Sequence, residues 1–283
     1  MRLQARGLCA EYDGQQVLRR LDLAVPSGAR LALLGANGSG KTTLLRALAG
    51  AHRPKHGEVL LDGVPVAFDR AGLRAHRRRV QLVLQDPDDQ LFSADVRQDV
   101  SFGPLNLGLS ASEAAAATDA ALAALGIEHL AERPTHQLSY GERKRVVIAG
   151  ALAMNVDVLL LDEPTAGLDP AGVDALLATL RQVNQAGTTV VFATHEVDVA
   201  LSFATHAAVM TDGTVRQGSV VELLGDQELL QQAHLRQPIL LALAHELGWE
   251  QPPLTVAEAA ARYLAQGTHR PGGHAPKADR NDT

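Results

Sequence analysis

Cysteine is nearly absent: Cys9 is the only one in 283 residues. That excludes an internal disulfide framework and any multi-cysteine zinc site, and it fits a reducing compartment. Aromatic residues make up only 3% of the chain, too few for a protein built on base-stacking platforms. No apolar run approaches the roughly 18 residues needed to cross a bilayer. The opening MRLQARGLCAEYDG lacks the continuous apolar core of a secretion signal. Basic charge is not in excess either, since the formal charge of −6 gives no overall pull toward nucleic acid or anionic lipid. Lysine is scarce, with four against 22 arginines. These absences predict a soluble, intracellular protein. What is present is an ordinary globular composition, 46% hydrophobic and 20% charged.

Short apolar runs alternate with helical patterns over residues 1 to about 225, which predicts an α/β protein with a mainly parallel sheet. Strand candidates are Leu31–Leu34, Val59–Leu61, Val80–Leu84, Val158–Leu161, Thr189–Ala193 and Ala207–Thr211. Asp62-Gly63 and Asp212-Gly213 read as hairpin turns that add antiparallel pieces. From about residue 86 to 154 strand character gives way to helix, which reads as an inserted helical subdomain. Within it, Ser110 and Glu113 form a capping box ahead of EAAAATDAALAAL. Residues 226–268 read as a helical extension, with Thr255 and Glu258 capping its last helix. Residues 269–283 have the polar, Gly/Pro-containing composition of a disordered tail.

The residues Gly35, Ala36, Asn37, Gly38, Ser39, Gly40, Lys41 and Thr42 spell GANGSGKT, a match to the phosphate loop G-x-x-x-x-G-K-[ST] between a strand and a helix. Glycines let backbone N–H groups turn inward around phosphate oxygens, and the positive end of the following helix adds to the attraction. Lys41 is expected to reach the β- and γ-phosphates and the Thr42 hydroxyl to ligate Mg²⁺, with Thr43 beside them. The loop therefore predicts a nucleoside triphosphate ligand. Val158–Leu161 runs into Asp162 and Glu163. Ligands gather at the carboxyl ends of parallel strands, so this strand points two acids at the same site. Asp162 is expected to hold hydrated Mg²⁺ and Glu163 to orient or deprotonate water. Alone, the pair could equally be solvated acids at a strand end.

QLSYGERKRVVIAGALA begins a long amphipathic run, with Ser139 as N-cap and Glu142 three residues later. A phosphate loop, then Gln85, LSYGE, LLLDEP and a lone Thr-His pair, in that order, resemble the ATP-binding cassette ATPases over about residues 2 to 225. The resemblance implies a P-loop (RecA-like) ATPase core binding ATP and Mg²⁺ between two subunits, as a homodimer. Tyr12 matches the aromatic that stacks on adenine. Gln85 matches the residue that contacts Mg²⁺ or the attacking water. Ser139 and Gly141 match the signature that completes the γ-phosphate site of a second copy, and Asp169 matches the loop crossing the dimer interface. His195 matches the histidine that touches the γ-phosphate; its place after the apolar strand TTVVFAT favours function over a structural histidine. Two signature positions depart from the pattern: Tyr140 stands for the usual glycine and Glu142 for the usual glutamine, leaving open what side chain 142 contributes.

Residues 85–109, QDPDDQLFSADVRQDVSFGPLNLGL, resemble the ATPases of energy-coupling-factor importers, especially the cobalt and nickel branch. The resemblance makes Asp86, Asp88, Asp89, Leu91 and Phe92 part of a groove for helices of a transmembrane coupling subunit. The three aspartates could instead cap a helix or stand solvated in a turn. The partners implied are a second ATPase subunit, a coupling subunit and a substrate-binding membrane subunit, with no nucleic acid. That puts the chain peripherally on the cytoplasmic face of the cell membrane. Competing readings are the same machine carrying a vitamin, a soluble cassette protein acting on DNA or translation, and a P-loop kinase. The last would lack LSYGE and the His195 element. Arg74, Arg77, Arg78 and Arg79 read as a solvated helix face. The eleven histidines are scattered along the chain, two of them in the tail.

Overall fold

A computed structural model describes residues 1–12 and 14–267. They form two compact units, Met1–Gln237 and the segment from Pro238. In chain order the first unit opens with β1 (Leu3–Tyr12), β2 (Gln15–Val25), β3 (Arg30–Leu34), α1 (Lys41–Leu48), β4 (His56–Leu61), β5 (Val64–Pro65), α2 (Arg70–Arg77) and β6 (Val80–Val83). It continues with α3 (Val96–Leu107), α4 (Ala111–Ala124), α5 (Tyr140–Ala153), β7 (Val158–Asp162), α6 (Pro170–Gln185) and β8 (Thr189–Thr194). It ends with α7 (Val197–Phe203), β9 (His206–Thr211), β10 (Thr214–Ser219), α8 (Val220–Gly225) and α9 (Gln227–Gln232).

Six strands form one sheet in the order β10-β9-β3-β8-β7-β6. All its neighbours are parallel except the β9–β10 hairpin. A second sheet, β2-β1-β4-β5, is antiparallel. The α/β expectation with antiparallel pieces is met. Strands β3, β7 and β8 are buried almost throughout, as near-continuous Val/Leu/Ala runs require when both faces of a parallel sheet are covered. Leu31 and Leu33 of β3, Leu160 of β7 and Val191 of β8 join α1 and both sheets in one apolar core.

The local signals are realised. Asp62-Gly63 and Asp212-Gly213 take positive φ, as two-residue hairpin turns between right-twisting strands demand. Ser110 and Glu113 form the capping box of α4. Helices α3, α4 and α5 occupy the span expected to be helical. Of the arginine cluster, Arg74, Arg77 and Arg78 are exposed, as a solvated face requires, while Arg79 ion-pairs with Asp62 and Asp157 and Arg77 also donates to the Gly50 carbonyl. Arg79, in the link between α2 and β6, thus bridges the turn after β4 to the residue before β7, while Arg77 ties α2 to the turn after α1. Helix α9, within the segment expected as an extension, packs its buried Leu229 and Leu230 in the first unit.

The second unit contains α10 (Ile239–Glu246) and α11 (Val256–Gly267). Leu240, Ala244, Trp249 and Ala259 form its small apolar cluster, and the Arg262 guanidinium lies 5.4 Å from the Trp249 ring centre. Thr255 accepts from the Glu258 amide, as its expected capping role requires. The expected disordered tail, residues 269–283, lies outside the described residues. Among those that are described, no helix is long and apolar enough to cross a membrane.

Candidate functional site at the strand ends

Three neighbouring parallel strands, β3, β8 and β7, finish at the same edge of the sheet, and each delivers part of one site. Beyond β3 the loop Gly35–Gly40 turns into α1. Gly40 caps that helix with φ 101°, and a Cβ there would come within 2.9 Å of the Val17 side chain. Only glycine fits both the backbone angle and the close approach. The loop's amides are thereby gathered at the N-terminus of α1, where an anion is favoured. Lys41, 6% exposed, donates to the carbonyls of Gly35 at 2.7 Å and Ala36 at 3.1 Å. Burial pushes its pKa down, and the charges of Glu163 and Asp162 act against that fall.

At the end of β7, the Asp162 carboxylate accepts from the Thr42 hydroxyl at 2.6 Å. Burial raises the Asp162 pKa, the Thr42 hydrogen bond opposes the rise, and the neighbouring Glu163 charge adds to it. Glu163 is in the left-handed region at φ 45°, its amide donating to the Ala193 carbonyl of β8 at 3.0 Å. A non-glycine residue in that region is held there by its surroundings, and such strain concentrates at functional sites. The turn aims the Glu163 carboxylate between Lys41 and His195. Oε1 is 3.8 Å from Lys41 Nζ and 3.1 Å from His195 Nδ1. His195 is half-exposed, just past β8, so its ring faces both this carboxylate and solvent.

Gly38, Lys41, Thr42, Gln85, Asp162 and Glu163 line a cavity of about 350 Å³, with Asn37, Gly40, Thr43 and Val17 completing the wall. Two side-chain oxygens at the site, Ser39 Oγ and Glu163 Oε2, are buried without a hydrogen-bond partner. Orphaned polar atoms are costly and rare in native proteins. A phosphate oxygen suits the Ser39 hydroxyl, and a water suits the free carboxylate oxygen. Thr42 and Asp162 offer adjoining hard oxygen donors, and Gln85 lines the same cavity. That donor set fits Mg²⁺, which takes one or two protein oxygens and keeps waters and phosphates for the rest.

Other expected residues sit elsewhere. Tyr12 closes β1, and its side chain lies outside what the structure describes. Ser139 and Gly141 are at the N-terminus of α5, away from the cavity, with Ser139 exposed. Glu142 completes a capping box: its carboxylate accepts from the Ser139 amide at 2.7 Å, and Ser139 Oγ accepts from the Glu142 amide at 3.3 Å. This answers what side chain 142 does within the chain. The Ser139 amide holds its carboxyl below the usual range, with the Ser139 hydroxyl and nearby arginines adding to the effect. Asp169 caps α6 by accepting from the Gly172 amide at 2.6 Å. Asp86 accepts from the Asp88 amide in a short 3-10 turn, and Asp88 ion-pairs with Arg143 of α5 at 2.9 Å. Leu91 is half-buried. Phe92 is 63% and Phe102 48% exposed, their rings edge to face at 4.6 Å.

Sequence reasoning missed three contributors. Val17 packs against the loop from β2. Tyr140 donates to the Gln85 carbonyl at 3.2 Å and lies on Gly167, where a Cβ would meet its ring at 2.6 Å. The tyrosine in place of a glycine is thus accommodated by a glycine opposite it. Lys144, 1% exposed, donates to the carbonyls of Glu163 and Ala166. Its isolation among the four lysines was the one available signal.

Residues 18–166 match the ABC transporter family. The chain is 58% identical to a putative ABC transporter ATP-binding protein of Streptomyces coelicolor, over 82% of each chain. It is 53% identical to the cobalt import ATP-binding protein CbiO of Rhodobacter capsulatus, over 82% of this chain and 83% of the relative. Among solved structures, CbiO1 of Clostridium perfringens, part of the ABC transporter complex CbiONQ, superposes with a TM-score of 0.74. That pair is 41% identical, over 86% of this chain and 98% of the other. The chain thus belongs to the ABC transporter ATP-binding family and is an ATPase of the energy-coupling-factor type.

Proposed function

We propose that this chain hydrolyses ATP to energise a membrane importer for cobalt or nickel ions, docked peripherally on the cytoplasmic face of that importer's membrane subunits. The observation that carries the reading is the 53% identity, over four-fifths of both chains, to a protein named for cobalt import. In this reading the loop amides and Lys41 bind the triphosphate, with Ser39 donating to a phosphate oxygen. Tyr12 stacks on adenine. Thr42, Asp162 and Gln85 hold Mg²⁺, which when bound neutralises charge on the β- and γ-phosphate oxygens. Glu163 takes the proton of the attacking water through its unpartnered Oε2, and His195 and Lys41 hold the γ-phosphate. The chain works as a homodimer, in which Ser139 and Gly141 of each copy complete the other's site and Asp169 lies at the shared interface.

The test is uptake. The chain co-expressed with its membrane partners and reconstituted in vesicles is expected to accumulate Co²⁺ or Ni²⁺ only when ATP is supplied. Vitamin uptake without metal uptake would move the assignment to another substrate-binding subunit. Co-purification with ribosomes or nucleic acid in place of membrane proteins would refute import altogether.

The docking groove runs past Asp86, Asp88 and Asp89 to Leu91 and Phe92. Exposed apolar rings rimmed by acids suit an amphipathic partner helix carrying basic residues. Asp88 is already engaged with Arg143, so reversing its charge would set like charges against α5. Asp89 is the cleaner probe. Asp89→Arg is expected to lower recovery of the membrane complex at least about fivefold, as like-charge juxtaposition at an interface does. Nucleotide binding by the isolated chain should stay within about twofold of wild type. Pull-down and fluorescent-nucleotide titration read the two; lost nucleotide binding with intact assembly would reject the groove.

A further inference from the structure

Lys144 is a lysine that the catalytic scheme above does not use. It is five residues past the Ser139 cap of α5, in the interior of the fold at 1% exposure. A buried ammonium is costly unless its hydrogens are taken up. Here two go to backbone: the Glu163 carbonyl at 2.7 Å and the Ala166 carbonyl at 2.8 Å. The nitrogen also lies 5.6 Å from the centre of the Tyr140 ring, on the first turn of the same helix. Tyr140 in turn donates to the Gln85 carbonyl. The start of one helix therefore reaches two loops of the site: the one from Glu163 to Asp169, at two of its carbonyls, and the one bearing Gln85.

The Glu163 backbone needs such support. Its left-handed conformation at φ 45° is anchored on the amide side by the Ala193 carbonyl of β8. On the carbonyl side it is anchored by Lys144 and by the Ala166 amide at 3.2 Å. Without the lysine, that peptide loses its charged tether, and the carboxylate it aims at Lys41 and His195 loses its fixed bearing. We infer that Lys144 is a positioning residue for hydrolysis, holding the Glu163 and Ala166 carbonyls so that the signature helix and the catalytic carboxylate move as one piece. Engagement of Ser139 with nucleotide on the opposite copy is thereby transmitted to the general base of Ser139's own chain.

This inference rests on the ATPase reading, and the test separates the two. Turnover and ATP affinity are measured on the full chain assembled with its membrane partners, for wild type, Lys144→Met, Lys144→Gln and Lys144→Arg. Methionine approximates the aliphatic length and removes every donor. Lys144→Met is expected to lose about tenfold in kcat with KM for ATP within about twofold, the mark of a misaimed base rather than a damaged binding site. Lys144→Arg keeps charge and donors but brings a longer, planar head to a buried site, and is expected to restore only part of that loss. If the Met variant does not fold, Lys144→Gln, which keeps one amide donor, carries the test with the same split. Wild-type kcat in Lys144→Met, or in Lys144→Gln where that variant is needed, overturns the inference. A loss in which KM and kcat deteriorate together, unrestored by arginine, overturns it as well. Absence of ATP hydrolysis by the wild-type complex would instead refute the ATPase reading itself.

Discussion

Glu163→Gln is expected to bind ATP as well as wild type, to hydrolyse it at least about 100-fold more slowly, and to accumulate as an ATP-bound dimer. The size follows from the range for a positioned general base, roughly 10²- to 10⁴-fold. Glutamine keeps the length and shape of the side chain, and its amide oxygen can still accept from His195, 3.1 Å away in wild type. What is lost is the basic carboxylate oxygen with no partner in the resting site. Binding should survive because the groups proposed to hold the triphosphate are the loop amides, Lys41 and Ser39. Glu163 faces Lys41 at 3.8 Å as a counter-charge, so neutralising it leaves the ammonium freer for phosphate. Removing a buried negative charge beside a triphosphate also lowers the repulsion within a closed dimer. Phosphate release gives the rate, and light scattering with and without ATP gives the dimer. Wild-type turnover in this variant would remove Glu163 from the mechanism.

The parts of this site that could be read from sequence are those encoded locally. GANGSGKT carries its own geometry, because glycine at position 40 is dictated by one backbone angle and one close neighbour. The Asp-Gly hairpins and the Ser110 and Ser139 capping boxes are likewise fixed within four residues. The meeting of Lys41, Glu163 and His195 is different, since it depends on strand order. β3, β8 and β7 are neighbours in the sheet although residues far apart in the chain separate them. Apolar periodicity shows each strand but not its neighbours, so the grouping came from resemblance. Strands β1 and β2 carried weaker signals: pairing slips at Ala5/Leu8 and Leu8/Ala10, and Gly7 and Arg20 take positive φ, which breaks the two-residue alternation. Lys144 was least legible. Within ERKRV it looks like one more solvated charge, and only the fold brings the Glu163 and Ala166 carbonyls of the loop after β7 beside it.

Lys41→Met should abolish tight ATP binding while leaving the fold intact. In the resting site the ammonium is occupied by the loop's own carbonyls, Gly35 and Ala36, and lies 3.8 Å from Glu163. Burial lowers its pKa, so the charged form is held against a desolvation cost. A triphosphate offers that ammonium stronger acceptors than neutral carbonyls, and charge-assisted hydrogen bonds contribute roughly 1.5–3 kcal/mol each. Losing two of them weakens binding by about 100-fold or more. The apo protein loses stability as well, because removing one partner of a buried pair leaves the Glu163 and Asp162 carboxylates without their counter-charge. The melting temperature without nucleotide should therefore fall, and the further rise that ATP confers on wild type should disappear. Lys41→Arg separates charge from shape. The site accommodates a compact ammonium 2.7 Å from a backbone carbonyl, and a planar guanidinium on a longer reach cannot occupy that position. Arginine should consequently rescue little of the binding, in a chain that otherwise uses it in preference to lysine 22 to four. Fluorescent-nucleotide titration and thermal melts with and without ATP measure both effects. ATP affinity within threefold of wild type in Lys41→Met would mean that the loop does not hold phosphate through this side chain.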